Sequence, residues 1–294
     1  MTNKNPPGLY HADPKLFREA LLFTESSTGF SARLIEKDYY LSLVLHDLSA
    51  LFGSGLVFKG GTCLSKVYTE FYRLSEDLDF ALSVPVDASA ATRRKAASAH
   101  KAHIGSLPER HACFRVEEAI VGHNLSRHYT GRFSYESAVT GEADFIKVEV
   151  GLREPVVMPA TSHDARALLL DPFSKEPAHP PVRVTVIALL EAYAEKFRAA
   201  LTRREPAIRD FFDIHVAVGK GMLDHTGNEF LSLVRAKLAI PGNDSIDTSE
   251  EKTKALRDQL RAQLEPVLRR KDFEAFVLER AVEMVSEVAR RCND

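Results

Sequence analysis

The sequence has little cysteine, no long apolar run and almost no net charge, and each shortage removes a class of function. Its 294 residues include three cysteines, Cys63, Cys113 and Cys292, with no CxxC pair and no regular spacing. That pattern indicates neither a disulfide framework nor a zinc site, and points to reduced thiols. The eleven histidines show no HxxxH or His-x-His ligand pattern, so none is expected to bind a metal. No stretch approaches the run of about 18 apolar residues that a membrane span requires. The opening residues, MTNKNPPGLYHADPK, have no apolar signal core, so a cytoplasmic protein without a membrane partner is expected. A formal net charge of −2 excludes a global basic field that recruits nucleic acid. Any RNA contact must then come from a local patch. With no long heptad seam, monomer is the default.

What is present is an ordinary globular composition, 45% hydrophobic and 27% charged, in a chain long enough for two domains. One stretch organises it: Val57 to Leu82, VFKGGTCLSKVYTEFYRLSEDLDFAL. Leu56-Val57-Phe58 reads as a short buried strand, and Gly60-Gly61 lets the backbone turn tightly against a ligand. Thr62 then caps a helix whose apolar residues Leu64, Val67, Tyr68 and Phe71 fall on one face. Free amides at such an N-terminus suit a phosphate. Beyond Arg73-Leu74-Ser75-Glu76, strict alternation buries Leu78, Phe80 and Leu82 and leaves Asp77 and Asp79 together on the other face. Two carboxylates beside a glycine turn form a cradle for Mg²⁺ and a triphosphate, because magnesium takes one or two carboxylates plus phosphate oxygens and water.

Around this core the pattern predicts helices over 14–28 and 31–52, an Ala-rich basic helix over 88–106, and strands over 113–120, 131–138 and 144–152 in an antiparallel series. Glu36, Lys37 and Asp38 on the second helix read as surface or supporting ion pairs. The basic helix, with Arg93, Arg94, Lys95 and Lys101, is either a solvated face or an RNA backbone contact. Glu149 lies on one face of its strand with Phe145, Lys147 and Gly151, where it reads as a charge on a half-exposed strand. The proline-rich segment 155–181 reads as a connection and Val182 to Thr202 as a helix, followed by helices over 206–218, 228–240, 249–271 and 272–292. The resulting expectation is α+β: residues 1–170 form a lobe with a mixed sheet, and 171–294 a helical lobe. In the latter, Arg209 with Asp213 reads as a commonplace helix pair.

The order strand, Gly-Gly-Thr, helix, Asp-x-Asp strand resembles the signature of the polymerase β-like nucleotidyltransferase superfamily. More closely, FKGGTCLSKVY followed by RLSEDLDFAL, the preceding IEKDYYLSLVLHDL and the later EKFRAALTRREPAIRDFFDI are similar to the AbiEii/AbiGii (MenT-like) toxin family. The resemblance implies catalytic roles for Asp77, Asp79, Lys196 and Asp210, with Asp77 and Asp79 holding Mg²⁺ and Glu149 as the best match for a third ligand. It implies NTP binding by Gly60, Gly61 and Thr62, with Lys59, Lys66 and Ser75 as helpers, and a structural role for Asp213. It further implies transfer of nucleotides to RNA, characteristically the 3′ acceptor end of tRNA, and a cognate antitoxin protein as partner. A nucleotide- or phosphate-transferring enzyme acting on a protein hydroxyl, and a non-catalytic nucleotide-binding module, stand as alternatives.

Overall fold

The computed structural model describes residues 9–293; the polar residues 1–8 lie outside it. The chain divides into two compact units, residues 1–156 with 160–187, and residues 157–159 with 188–294. No helix among the described residues is long and apolar enough to cross a membrane.

The first unit begins with α1 (Pro14–Thr28), set by local chemistry at both ends. Asp13 accepts the amides of Lys15 and Leu16, Pro14 supplies a preset first turn, and Gly29 closes the helix in a left-handed conformation. In α2 (Ala32–Asp47) burial extends almost all the way round, through Glu36, Lys37 and Asp38 as well as the apolar stripe. These three charges are therefore not at the surface. Glu36 takes the Ser137 hydroxyl and the Ala138 amide, Lys37 pairs with Asp144 at 2.8 Å, and Asp38 pairs with Lys66.

A seven-stranded mixed sheet forms the body of this unit: β1 (Leu56–Lys59), β2 (Asp77–Leu82), β3 (Arg115–His123), β4 (His128–Glu136), β5 (Ala143–Gly151), β6 (Thr161–Ala165) and β7 (Val182–Val186). Its order is β3-β4-β5-β2-β1-β7-β6. β1 runs antiparallel to β2, while β2/β5 and β1/β7 are parallel. One face is apolar, with Phe80, Phe133, Ile146, Val148 and Val150 buried; the other carries the polar partners of the same strands. The two last strands were not expected. Val182-Arg183-Val184-Thr185-Val186 alternates β-branched residues and enters the sheet, so the helix expected from Val182 starts only at Leu189.

Two short helices, α3 (Gly60–Cys63) and α5 (Leu107–Arg110), and the basic α4 (Ala90–Gly105) complete the unit. In α4, Arg93 is buried and bonded to the carbonyls of Leu125 and Ala88, which takes it off the exposed basic face.

The second unit is helical: α6 (Leu189–Thr202), α7 (Ile208–Gly219), α8 (Asn228–Leu238), α9 (Glu250–Gln259), α10 (Arg270–Glu274) and α11 (Leu278–Asn293). Phe197, Ile208, Phe212, Val234 and Val285 lie in its core. The buried Lys237 ammonium meets Glu191 at 2.5 Å and Glu195 at 3.0 Å. Glu191 also accepts the amides of Val157 and Met158, which explains why residues 157–159 belong with the helices.

In the first unit, Asp38 and Lys66 are 3% and 0% exposed and 2.6 Å apart. Removing one partner of such a pair leaves a buried charge unpaired, a cost of about 3–5 kcal/mol. Asp38→Ala is therefore expected to lower the unfolding free energy by about that amount in urea titration, and Asp38→Ala with Lys66→Met to recover most of it.

Candidate active site

The central motif leaves β1 at Lys59 and turns at Gly60, whose φ is +77°. A Cβ built on Gly60 would lie 2.2 Å from Oδ2 of Asp79. Only glycine allows this carboxylate to rest against the turn, so the backbone turn and the Asp79 carboxylate are fixed together. At Gly61 a Cβ would lie 2.5 Å from Nη2 of Arg73 and 3.0 Å from the Ser75 hydroxyl. The second glycine is thus needed to admit a buried guanidinium behind the turn. Arg73 carries no periodic signal and sits in what reads as a passage between elements, which is why the residue pattern does not single it out.

The turn continues as α3 and then as a π-helical segment, Leu64–Tyr68. The N-cap is Lys59, not Thr62; Thr62 is buried inside the first turn and its hydroxyl donates to the Asp77 carbonyl at 2.5 Å. This bond ties the helix start to the head of β2. The helix ends at Tyr68, before Glu70 and Phe71 take left-handed conformations, so it is shorter than its apolar face suggests. Lys66, expected beside the phosphates, is enclosed by protein. Its ammonium contacts Asp38 at 2.6 Å and the Ser42 hydroxyl at 2.8 Å, and burial lowers its pKa against the pull of Asp38.

On β2, Asp77 and Asp79 are half-buried on the polar face while Leu78 and Phe80 enter the core. Strand register extends the row: Lys59 stands opposite Asp79 on β1, and on β5 Glu149 stands beside Asp79 and Lys147 beside Asp77. Glu149 contacts the Lys147 ammonium and lies 3.5 Å from His128 Nε2. Burial opposes the charge on Lys147, yet Glu149, Asp77 and Asp79 together raise its pKa. Burial lowers the His128 pKa despite Glu149.

Among the described residues no group of three His, Cys, Asp or Glu side chains converges as for a metal. The two aspartates on one strand face nevertheless fit the donor set magnesium takes when phosphates supply the remaining oxygens. Asp79 rests on the Gly60 turn itself, and Asp77 lies on the same strand face.

The later cluster lies in the second unit. The Lys196 ammonium on α6 meets Asp210 at 2.6 Å and Asp213 at 2.9 Å on α7, and Arg203 meets Asp210 at 3.1 Å. Asp213, read from the helix spacing as a partner of Arg209, is fully buried against Lys196. Burial alone would raise the Asp210 pKa; Lys196 and Arg203 outweigh it and hold the carboxyl below the ordinary carboxylate range.

Three comparisons bear on this arrangement. The model of the family described as "Nucleotidyl transferase AbiEii toxin, Type IV TA system" matches residues 44–283. Among solved structures, JHP933 from Helicobacter pylori is similar at a TM-score of 0.50 and 14% identity, covering 90% of this chain and 95% of that one. A candidate nucleotidyltransferase from H. pylori aligns at 0.49 and 13% identity, covering 90% and 98%. At that identity the likeness to JHP933 establishes the fold alone. No curated protein sequence matches the chain.

The glycine geometry is directly testable. Gly60 and Gly141 have nearly the same φ, +77° and +75°, but a Cβ at Gly141 would meet nothing within 4 Å. Gly141→Ala carries only left-handed strain, about 1–2 kcal/mol. Gly60→Ala adds the collision with Asp79, and chemical denaturation is expected to show a loss larger by at least about 1 kcal/mol. Equal losses would mean that Asp79 is not held against the turn.

Proposed function

The chain belongs to the AbiEii family of nucleotidyltransferase toxins of type IV toxin–antitoxin systems, and from that premise we propose that it transfers nucleotides from an NTP to RNA, at the 3′ acceptor end of tRNA. The observation that carries the reading is the Asp79 carboxylate held against the Gly60 turn, with Asp77 on the same half-buried strand face. In the reaction, the acceptor hydroxyl oxygen bonds to the α-phosphorus, the bond between the α-phosphorus and its bridging oxygen to the β-phosphorus breaks, and pyrophosphate leaves. The proton of the hydroxyl passes to a carboxylate of the β2 face.

In this proposal Asp77 and Asp79 hold Mg²⁺, which when bound neutralises phosphate charge and makes the hydroxyl more acidic. The backbone amides of Gly61 and Thr62 orient the β- and γ-phosphates, with Lys59 and Ser75 in support. In the second unit Asp210 holds the Lys196 ammonium, a compact cation suited to phosphate charge, and the family resemblance gives both residues catalytic roles. A cognate antitoxin protein is the expected partner.

The test is incubation of purified protein with total tRNA, Mg²⁺ and each α-labelled NTP in turn. Label is expected in tRNA from one nucleotide, and Asp77→Ala is expected to reduce it by about a hundredfold or more. Label in protein would move the acceptor to a protein hydroxyl. Bound nucleotide with no transfer to either would contradict an enzyme.

A further inference from the structure

Three carboxylates share the polar face of adjacent strands, and the third is engaged by a lysine of its own strand. Asp77 and Asp79 share β2, Glu149 is beside Asp79 on β5, and no three-ligand group converges among the described residues. Besides His128 at 3.5 Å, Glu149 contacts Lys147, two residues away on the same face and in register with Asp77. As an ion pair it does little for the fold: the two side chains are 37% and 22% exposed, and solvent screens them. Its position matters more. Neighbouring strands are about 5 Å apart, so the Lys147 charge lies in the region where a dication on Asp77 and Asp79 would sit, and like charges at that range compete strongly.

We propose that Lys147 is a resident counter-ion of the carboxylate row, one that a divalent cation displaces from Glu149 before that carboxylate joins Asp77 and Asp79. The inference rests on the assignment of Asp77 and Asp79 as the metal pair. Without metal, the ammonium relieves repulsion among three acids on one face. With metal, Glu149 exchanges one cation for another, and the partly exposed lysine moves into solvent. Lys147 thereby sets how much free metal the site needs: a metal-bound NTP, which brings its own phosphate oxygens, loads the site, and bare metal does so poorly.

The readout is Mn²⁺ affinity of the full chain without nucleotide, followed by electron paramagnetic resonance of free Mn²⁺. Lys147→Gln, with Lys147→Met as a parallel variant, is expected to bind Mn²⁺ about tenfold more tightly. Lys147→Arg, which keeps the charge, is expected to stay near the parent value. Adding Glu149→Gln to Lys147→Gln is expected to abolish the gain, because the released carboxylate supplies it. Circular dichroism establishes that each variant is folded. Unchanged or weaker binding in both neutral variants, with parent binding abolished by Asp77→Ala, overturns the role of Lys147 alone. Binding indifferent to Asp77→Ala, or no binding in the parent and in both neutral variants, overturns the metal pair and this inference with it.

Discussion

The contact between Asp79 and Gly60 is the constraint from which the rest of the first unit's site follows. A carboxylate oxygen stands so close to Gly60 that any Cβ there would collide with it, which couples the turn after β1 to the acidic face of β2. The antiparallel register of β1 with β2 fixes the same relation from the strand side, with Lys59 opposite Asp79. The Thr62 hydroxyl on the Asp77 carbonyl fixes it from the helix side. Such over-determination is how a fold holds a positive-φ turn and an acidic strand at the geometry phosphate chemistry needs.

Charge is managed by a repeated device, a lysine placed among acids at a graded depth. Lys66 with Asp38 is wholly buried and works for the fold. Lys196 between Asp210 and Asp213 is nearly buried, at 13% exposed. Lys147 with Glu149 is the most exposed of the three and the most easily exchanged. The depth of each pair sets its consequence: a desolvated pair cannot be broken cheaply, while a solvated one can trade partners.

The alternation in Asp77-Leu78-Asp79-Phe80 was legible because a strand buried on one face writes its register into the sequence. So were the glycine turn, the antiparallel series β3 to β5 and the mixed α+β architecture. Other features depend on tertiary placement. The charges of α2 read as surface or supporting ion pairs, and the choice between the two was not legible because the partners Ser137, Asp144 and Lys66 are distant in sequence. Lys66 read as a phosphate helper for the same reason. β7 was lost because its five residues run into a strong helix former, and a short alternating run is outweighed by the longer period that follows. Arg73 has no pattern at all; only the absence of a Cβ at Gly61 reveals its place.

On the proposed function, the Asp77–Asp79 pair and the Gly60 turn form one metal-dependent triphosphate site. Calorimetric titration of a non-hydrolysable NTP, in Mg²⁺ and in EDTA, into the parent protein and Asp79→Ala measures this most directly. Binding in Mg²⁺ that is lost both in EDTA and in the folded variant is the predicted result. Equal affinity in EDTA, or in Asp79→Ala, would contradict it.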